Sequence, residues 1–191
     1  MFETAAFIGI SILTWRIIRS SYNQLAHYLN AGLDNEAITH ESQLDRLHVA
    51  ANRYYEERKW LAAEKAYLKV LKLDHKNIQA YRRLGMIYSH LHNYEDAAEC
   101  LEMVTKSQKN AVDLHNLATV QFHNKRYDLS IDALTKAIEL EPSVSRLLAL
   151  AKLFEISNRS GEIPALIEQA RRIDPDSVAL ARYQQRRPYQ D

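Results

Sequence analysis

The sequence predicts an all-α protein of stacked helix–turn–helix repeats, and three observations lead to this prediction. The 191 residues include only four Gly and four Pro, which suits helices better than turn-rich strands or disorder. Four blocks of similar sequence recur at intervals of 33 to 34 residues, each with a turn, an apolar-periodic run and a polar stop. A separate apolar run near the N-terminus predicts a single hydrophobic helix before the repeats.

Composition excludes several classes of function. The formal net charge is +1, so the chain lacks the basic stripe that nucleic-acid binding requires. Cys100 is the only cysteine, so no internal disulfide and no cysteine zinc cluster can form. The sequence contains no GxSxG, Walker loop, GxGxxG, HExxH or CxxC motif. We therefore expect a protein that is not an enzyme and that has no metal site and no cofactor.

The first predicted element is the apolar run AAFIGISILTWRII, residues 5–18. Its apolar residues surround a helix rather than form one stripe, which disfavours a helix lying on a membrane surface. Glu3 precedes the run while Arg16 and Arg19 follow it, and this charge order favours an uncleaved anchor with the repeats in the cytoplasm. Residues 1–21 are therefore predicted to be a single-pass transmembrane anchor built on Phe7, Ile8, Ile12, Leu13, Trp15, Arg16 and Arg19.

Two alternatives for this run remain open. A helix over residues 2–18 is roughly 25 Å long, slightly short of the ~30 Å hydrocarbon core of a bilayer. The run is therefore also compatible with a helix that packs on the repeats or on a partner subunit. A cleaved signal peptide is the other interpretation, although no convincing cleavage site follows the run. Residues 22–43 are predicted to be a connector.

The repeats are the next elements, and they span residues 44–177. Small residues are expected where the first helix of a unit (helix A) approaches the second (helix B), and an aromatic residue recurs at one position in the first three units as Trp60, Tyr94 and Tyr127. Each helix pair leaves an apolar face that only the next pair can cover. The four units are predicted at 44–77, 78–110, 111–143 and 144–177, followed by a capping helix and tail over 178–191.

This pattern resembles the tetratricopeptide repeat family. The second unit matches it with Leu84, Gly85 and Tyr88 on helix A and with Ala97 and Leu101 on helix B. The other units match at equivalent positions. Four residues depart from the pattern: His75 and Lys109 stand where the first two units should have Pro, Gln121 where the third should have Tyr, and Ile163 where the fourth should have its central Ala. The resemblance implies a right-handed superhelical solenoid that acts as a non-catalytic scaffold and binds a peptide or protein partner in a concave groove. The alternative is a soluble structural or oligomerisation module whose N-terminal helix packs on the solenoid or on a partner subunit.

The resemblance also implies which residues line the groove, because helix A positions outside the repeat core face it. Arg82 among them is suited to a two-point contact with a carboxylate. The lysine and asparagine set with which some family members grip a chaperone tail is not preserved, so that ligand is not expected. The predicted groove residues are His48, Asn52, Tyr55, Gln79, Arg82, Arg83, Met86, His115, Asn116, Phe122 and Lys152.

Three histidines at the turns are candidate metal ligands. His90 and His92 lie in the turn of the second unit, and His123 lies at the matching turn of the third. A zinc site needs further ligands that converge on the same point, and none is evident. Polar turn residues are the simpler interpretation.

Overall fold

The computed structural model describes residues 41–186, and every regular element in that range is helical. This confirms the predicted all-α class. The chain divides into two compact units, Met1–Val49 and Ala50–Asp191, and only residues 41–49 of the first are described. The helices are α1 (41–56), α2 (Trp60–Leu73), α3 (Ile78–His90), α4 (Tyr94–Ser107), α5 (Ala111–His123), α6 (Tyr127–Leu140), α7 (Val144–Ile156), α8 (Ile163–Ile173) and α9 (Val178–Gln185), with a 3-10 turn at Ser160–Glu162.

Helices in the second unit pack chiefly on their neighbours in sequence. Within repeats, α3 contacts α4, α5 contacts α6, and α7 contacts α8; between repeats, α2 contacts α3, α4 contacts α5, and α6 contacts α7. Gly85 allows the closest approach, since a methyl group there would lie 2.8 Å from Cγ of the buried Leu101. Ala118 and Ala151 occupy the equivalent positions of the later repeats and are buried. Small residues at these points therefore set the spacing between paired helices.

The turn between helices A and B has the same geometry in all four repeats. One residue in each turn has a positive φ: 55° at Arg58, 59° at His92, 61° at Lys125 and 57° at Asn158. The N–H of the following residue donates to the carbonyl five positions earlier, as from Arg126 to Gln121 at 2.9 Å in the third repeat. This bond closes the end of helix A, although glycine is the residue that adopts such a φ without strain.

The start of helix A is fixed by side-chain caps. The Asn77 side chain accepts a hydrogen bond from the Ala80 N–H at 3.0 Å, and that of Asn110 accepts one from the Val112 N–H at 2.7 Å. Ser143 caps α7 in the same way, directly after Pro142. These caps satisfy backbone donors that a helix leaves unpaired at its N-terminus.

The C-terminal helix α9 covers the last repeat. Its Leu180 and Tyr183 are buried in the hydrophobic core that α4 to α8 also build. Without α9 the apolar face of α7 would be open to solvent, as the end of any repeat stack is.

The predicted membrane-anchored localisation is wrong for the part of the chain that the structure describes. Between residues 41 and 186 no helix is both long and apolar enough to cross a bilayer. Even α1, with 16 residues over 41–56, gives only about 24 Å against the ~30 Å required. The predicted anchor, residues 1–21, lies outside the described residues, as do residues 22–40 of the predicted connector and the tail from 187 to 191.

Candidate partner-binding groove

A cavity of about 510 Å³ opens on the side of the molecule formed by the A helices. We name it the A-face cavity. Helices α5, α7 and α9 surround it, and α6 closes its back. Its lining residues are His115, Ala118, Thr119, Phe122, Ser130, Leu134, Ala149, Lys152, Leu153, Glu155, Ile156, Tyr183 and Arg186. The predicted groove residues His115, Phe122 and Lys152 are thus brought together here.

The A-face cavity combines apolar walls with basic groups. Phe122 and Leu153 supply apolar surface, while the exposed Lys152 and Arg186 supply positive charge. The one carboxylate in the lining, that of Glu155, accepts a hydrogen bond from the Tyr183 hydroxyl. The cavity is therefore suited to a segment that carries an apolar side chain next to a negative charge.

His115 is a half-buried polar residue of this cavity. Its Nδ1 is buried and has no hydrogen-bond partner. Burial lowers the pKa of the imidazole from its ordinary value of 6.5, and the positive charge of Arg146 lowers it further. The ring is consequently neutral at pH 7 and presents a hydrogen-bonding group rather than a charge.

Arg82, one of the predicted groove residues, joins two A helices, α3 and α5. Its Nε and Nη2 donate to the carboxylate oxygens of Asp113 at 2.8 and 2.9 Å, and its Nη1 donates to Gln79 Oε1 at 2.7 Å. Asp113 is only 3% exposed, and its hydrogen bonds raise the pKa of Arg82. The carboxylate expected from a partner is therefore supplied by the chain itself.

The predicted residues Asn52, Tyr55 and Arg83 of α1 and α3 form a second group, which Tyr67 of α2 joins. The guanidinium of Arg83 lies 4.3 Å from the centre of the Tyr55 ring, and the Tyr67 hydroxyl donates to Asn52 Oδ1 at 2.7 Å. Burial raises the pKa of Tyr67 to about 12, so its hydroxyl stays protonated as a donor. This group is part of the same helix A surface but does not line the A-face cavity.

The remaining predicted groove residues lie apart from these clusters. Met86 and Asn116 are half-buried on α3 and α5, and His48 is half-buried in the first unit. Participation of all eleven residues in partner binding stays a prediction. Sequence reasoning missed Tyr183 and Arg186, because α9 follows the last repeat and carries no repeat pattern.

The turn histidines have aromatic packing partners. The His90 ring stacks on Trp60 with centroids 4.6 Å apart, and the His123 ring stacks on Tyr94 at 4.8 Å. His92 Nδ1 lies 2.7 Å from the Tyr94 hydroxyl. Among residues 41–186 no three His, Cys, Asp or Glu side chains are grouped to hold a metal ion. The recurring aromatic residue therefore joins the turn of one repeat to the turn of the next.

Comparison with known proteins identifies the repeat type. Two models of the tetratricopeptide repeat family match residues 66–99 and 114–144. A search of curated proteins found no match.

The fold is similar to that of several solved structures. A structure of MamA is 21% identical with a TM-score of 0.68, covering 73% of this chain and 78% of that one. MamA from Desulfovibrio magneticus RS-1, residue 41 to the end, is 19% identical with a TM-score of 0.65, covering 70% of this chain and 78% of that one. The first TPR of Spaghetti (RPAP3), bound to the HSP90 peptide SRMEEVD, is 16% identical with a TM-score of 0.56, covering 60% of this chain and 93% of that one. At these identities the likeness establishes the fold alone.

Proposed function

We propose that the chain, in which residues 66–99 and 114–144 match models of the tetratricopeptide repeat family, is a non-catalytic scaffold that binds an acidic peptide or protein segment in the A-face cavity. The observation that carries the proposal is the cavity itself, where apolar walls lie beside the exposed Lys152 and Arg186. Repeat stacks present such grooves because each A helix lies beside the next. The similar RPAP3 domain was solved with the peptide SRMEEVD, which contains two glutamates and an aspartate and supports an acidic ligand.

Apolar burial and charge have different parts in this binding. An apolar side chain of the partner enters beside Phe122 and Leu153, and its burial supplies most of the affinity. A neighbouring carboxylate approaches Lys152 and Arg186 at the solvent-exposed rim, where charge mainly sets specificity and the rate of association. The HSP90 tail itself is not proposed as the ligand, because Arg83 and Val112 stand where that clamp needs Asn and Lys.

Selection of peptides from a randomised phage-displayed library on the full chain tests the proposal. We expect acidic peptides with one large apolar residue to be enriched. Their affinity should fall about tenfold in the double variant Lys152→Glu/Arg186→Glu, since two attractive charges become repulsive. Both side chains are exposed, so the melting temperature should not change.

Lys69→Glu is the matched control, because Lys69 is exposed on α2 and outside the cavity. It should leave peptide affinity unchanged. Selected peptides without acidic residues, or an equal loss of affinity in Lys69→Glu, would contradict the proposal.

A further inference from the structure

A second cavity, of about 630 Å³, lies on the side of the molecule formed by the B helices. We name it the B-face cavity. Leu114, Leu117 and Gln121 of α5 form its floor, and Leu129 and Leu140 of α6 contribute to its wall. These two wall residues are about half exposed, at 48% and 51%. A largely apolar cleft is therefore open to solvent, lined by other residues of α5 and α6 than those of the A-face cavity.

The third repeat has smaller floor residues than the second. The stripe Tyr81, Leu84 and Tyr88 of α3 becomes Leu114, Leu117 and Gln121 in α5, 33 residues later. The position of Gln121 is aromatic in every other repeat, as Tyr54, Tyr88 and Phe154. Gln121, which lines the B-face cavity, therefore stands at the position where the other three repeats have an aromatic ring.

Gln121 reproduces only the polar contact of the missing ring. The Tyr88 hydroxyl donates to Glu64 Oε1 on the preceding helix B at 3.2 Å. Gln121 Nε2 likewise donates to Glu102 Oε1 on its preceding helix B at 3.3 Å. Its Oε1, however, is buried without a hydrogen-bond partner, and the residue is only 2% exposed. A buried acceptor left unpaired is costly, so an occupant that supplies a donor gains free energy.

The charged residues that line the B-face cavity are equal in number of each sign: Lys106, Lys109 and Lys136 against Glu102, Asp132 and Glu139. Lys106 lies 3.6 Å from Glu102, and Lys136 lies 2.6 Å from Asp132. An uncharged occupant is therefore favoured, in contrast to the A-face cavity.

We propose that the B-face cavity receives a tyrosine side chain from a partner peptide. The phenol ring fills the space between the leucines of α5 and Ala133 of α6, and its hydroxyl donates to Gln121 Oε1. The partner thereby supplies the ring that the third repeat lacks and the donor that Gln121 requires. This interaction is independent of the acidic segment proposed for the A-face cavity.

p-Cresol, which has the side-chain structure of tyrosine, is the first probe, and toluene is its control without a hydroxyl. Titration of the full chain, followed by methyl NMR, should shift Leu117, Leu129 and Ala133. p-Cresol should bind about fivefold more tightly than toluene, the effect of one hydrogen bond. Equal affinities of the two probes, or shifts elsewhere only, would overturn the proposal.

Two variants separate the ring from the hydrogen bond. Gln121→Leu keeps the space but removes the acceptor, so the preference for p-cresol over toluene should disappear while toluene still binds. Gln121→Tyr restores the ring of the other repeats and should exclude both probes without lowering the melting temperature. If Gln121→Tyr fails to fold, Ala133→Leu fills the same space from α6 and should exclude them as well. Probe binding unchanged in a folded filled variant would overturn the proposal.

A randomised phage-displayed peptide library tests the peptide. Peptides selected on the wild-type chain and lost on Gln121→Tyr should contain Tyr more often than Phe, and Lys152→Glu should not affect them. Equal use of Tyr and Phe would count against the hydrogen bond to Gln121. A dimer that sedimentation detects in the wild-type chain and not in Gln121→Tyr would replace the peptide with a second copy as the occupant.

Discussion

Two junctions between neighbouring A helices use the same repeat positions in different ways. Between α3 and α5, Arg82 faces Asp113 and forms a two-point ion pair. Between α5 and α7, the positions 33 residues later hold His115 and Arg146. These two do not form an ion pair, and Arg146 instead donates to the carbonyl oxygen of Glu141 at 2.5 Å and to its carboxylate at 3.2 Å. An ion pair therefore joins the two A helices of the first junction, whereas at the second Arg146 pairs with a residue five positions before it.

The difference shows how one scaffold divides stability from recognition. At the α3–α5 junction the polar groups satisfy one another, so they contribute to folding but have little left to offer a partner. At the α5–α7 junction His115 keeps a buried Nδ1 without a partner and lines the A-face cavity. Groups left unsatisfied by the chain are the ones that a ligand can satisfy.

The largest effect is expected from breaking the ion pair at the α3–α5 junction. Arg82→Met should lower the free energy of unfolding by about 3 kcal/mol, because it leaves the buried Asp113 carboxylate without its counter-charge. Urea denaturation of the full chain measures this loss. His115→Met, the substitution at the equivalent position of the α5–α7 junction, should cost no more than about 1 kcal/mol, because it leaves no buried charge unpaired. Equal losses in the two variants would show that the junctions do not differ.

His115, at the α5–α7 junction, should make the free energy of unfolding depend on pH. The pKa of His115 is lowered in the folded chain, first by burial and then by Arg146. The unfolded chain therefore binds more protons below pH 6.5, and this contribution to stability is present above pH 6.5 and lost as the pH falls. The stability of the wild-type chain relative to His115→Gln should decrease between pH 7.5 and pH 5.

Urea denaturation across this pH range provides the measurement. Thr119→Ala is the control, because it changes an exposed residue of the same helix and the same cavity without removing a titratable group. Its curve should run parallel to that of the wild-type chain. A parallel curve for His115→Gln would contradict the role of this ring.

The smallest effect is expected at the turns, where the second and third repeats have nearly the same positive φ, 59° at His92 and 61° at Lys125. Lys125→Gly should raise the free energy of unfolding by about 0.5–1 kcal/mol, because Lys125 has a φ of 61° and glycine adopts it without strain. His92→Gly should gain less, since it removes the contact between His92 and the Tyr94 hydroxyl. Thermal denaturation compares the two variants, and a larger gain for His92→Gly would contradict this account.

The sequence was sufficient for the helices because their pattern is local. Periodic apolar residues, the small residue at Gly85 and the caps at Asn77 and Asn110 all act within one helix pair or turn. Tetratricopeptide resemblance then supplied the arrangement of the pairs. The domain boundaries remain a prediction, because the family models match only residues 66–99 and 114–144.

The site was harder to predict because it depends on contacts between repeats. Arg82 was recognised as a carboxylate partner, but the carboxylate belongs to Asp113, 31 residues later. The sequence did contain a signal for this pair, because Asp113 is an acidic residue on helix A of the next repeat. His90 and His123 looked like free polar residues, although Trp60 and Tyr94 one repeat earlier already indicated their stacking partners.

Packing between successive helices also has a mechanical consequence. Each helix from α2 to α8 packs chiefly on its neighbours in sequence. A force applied to one end of the stack is therefore carried by each junction in turn. Extension then divides among the junctions according to their stiffness. The ion pair of Arg82 and Asp113 stiffens the α3–α5 junction, whereas His115 and Arg146 form no ion pair across the α5–α7 junction. A partner bound in the A-face cavity would stiffen the α5–α7 junction, so that binding would change the elasticity of the stack at this point.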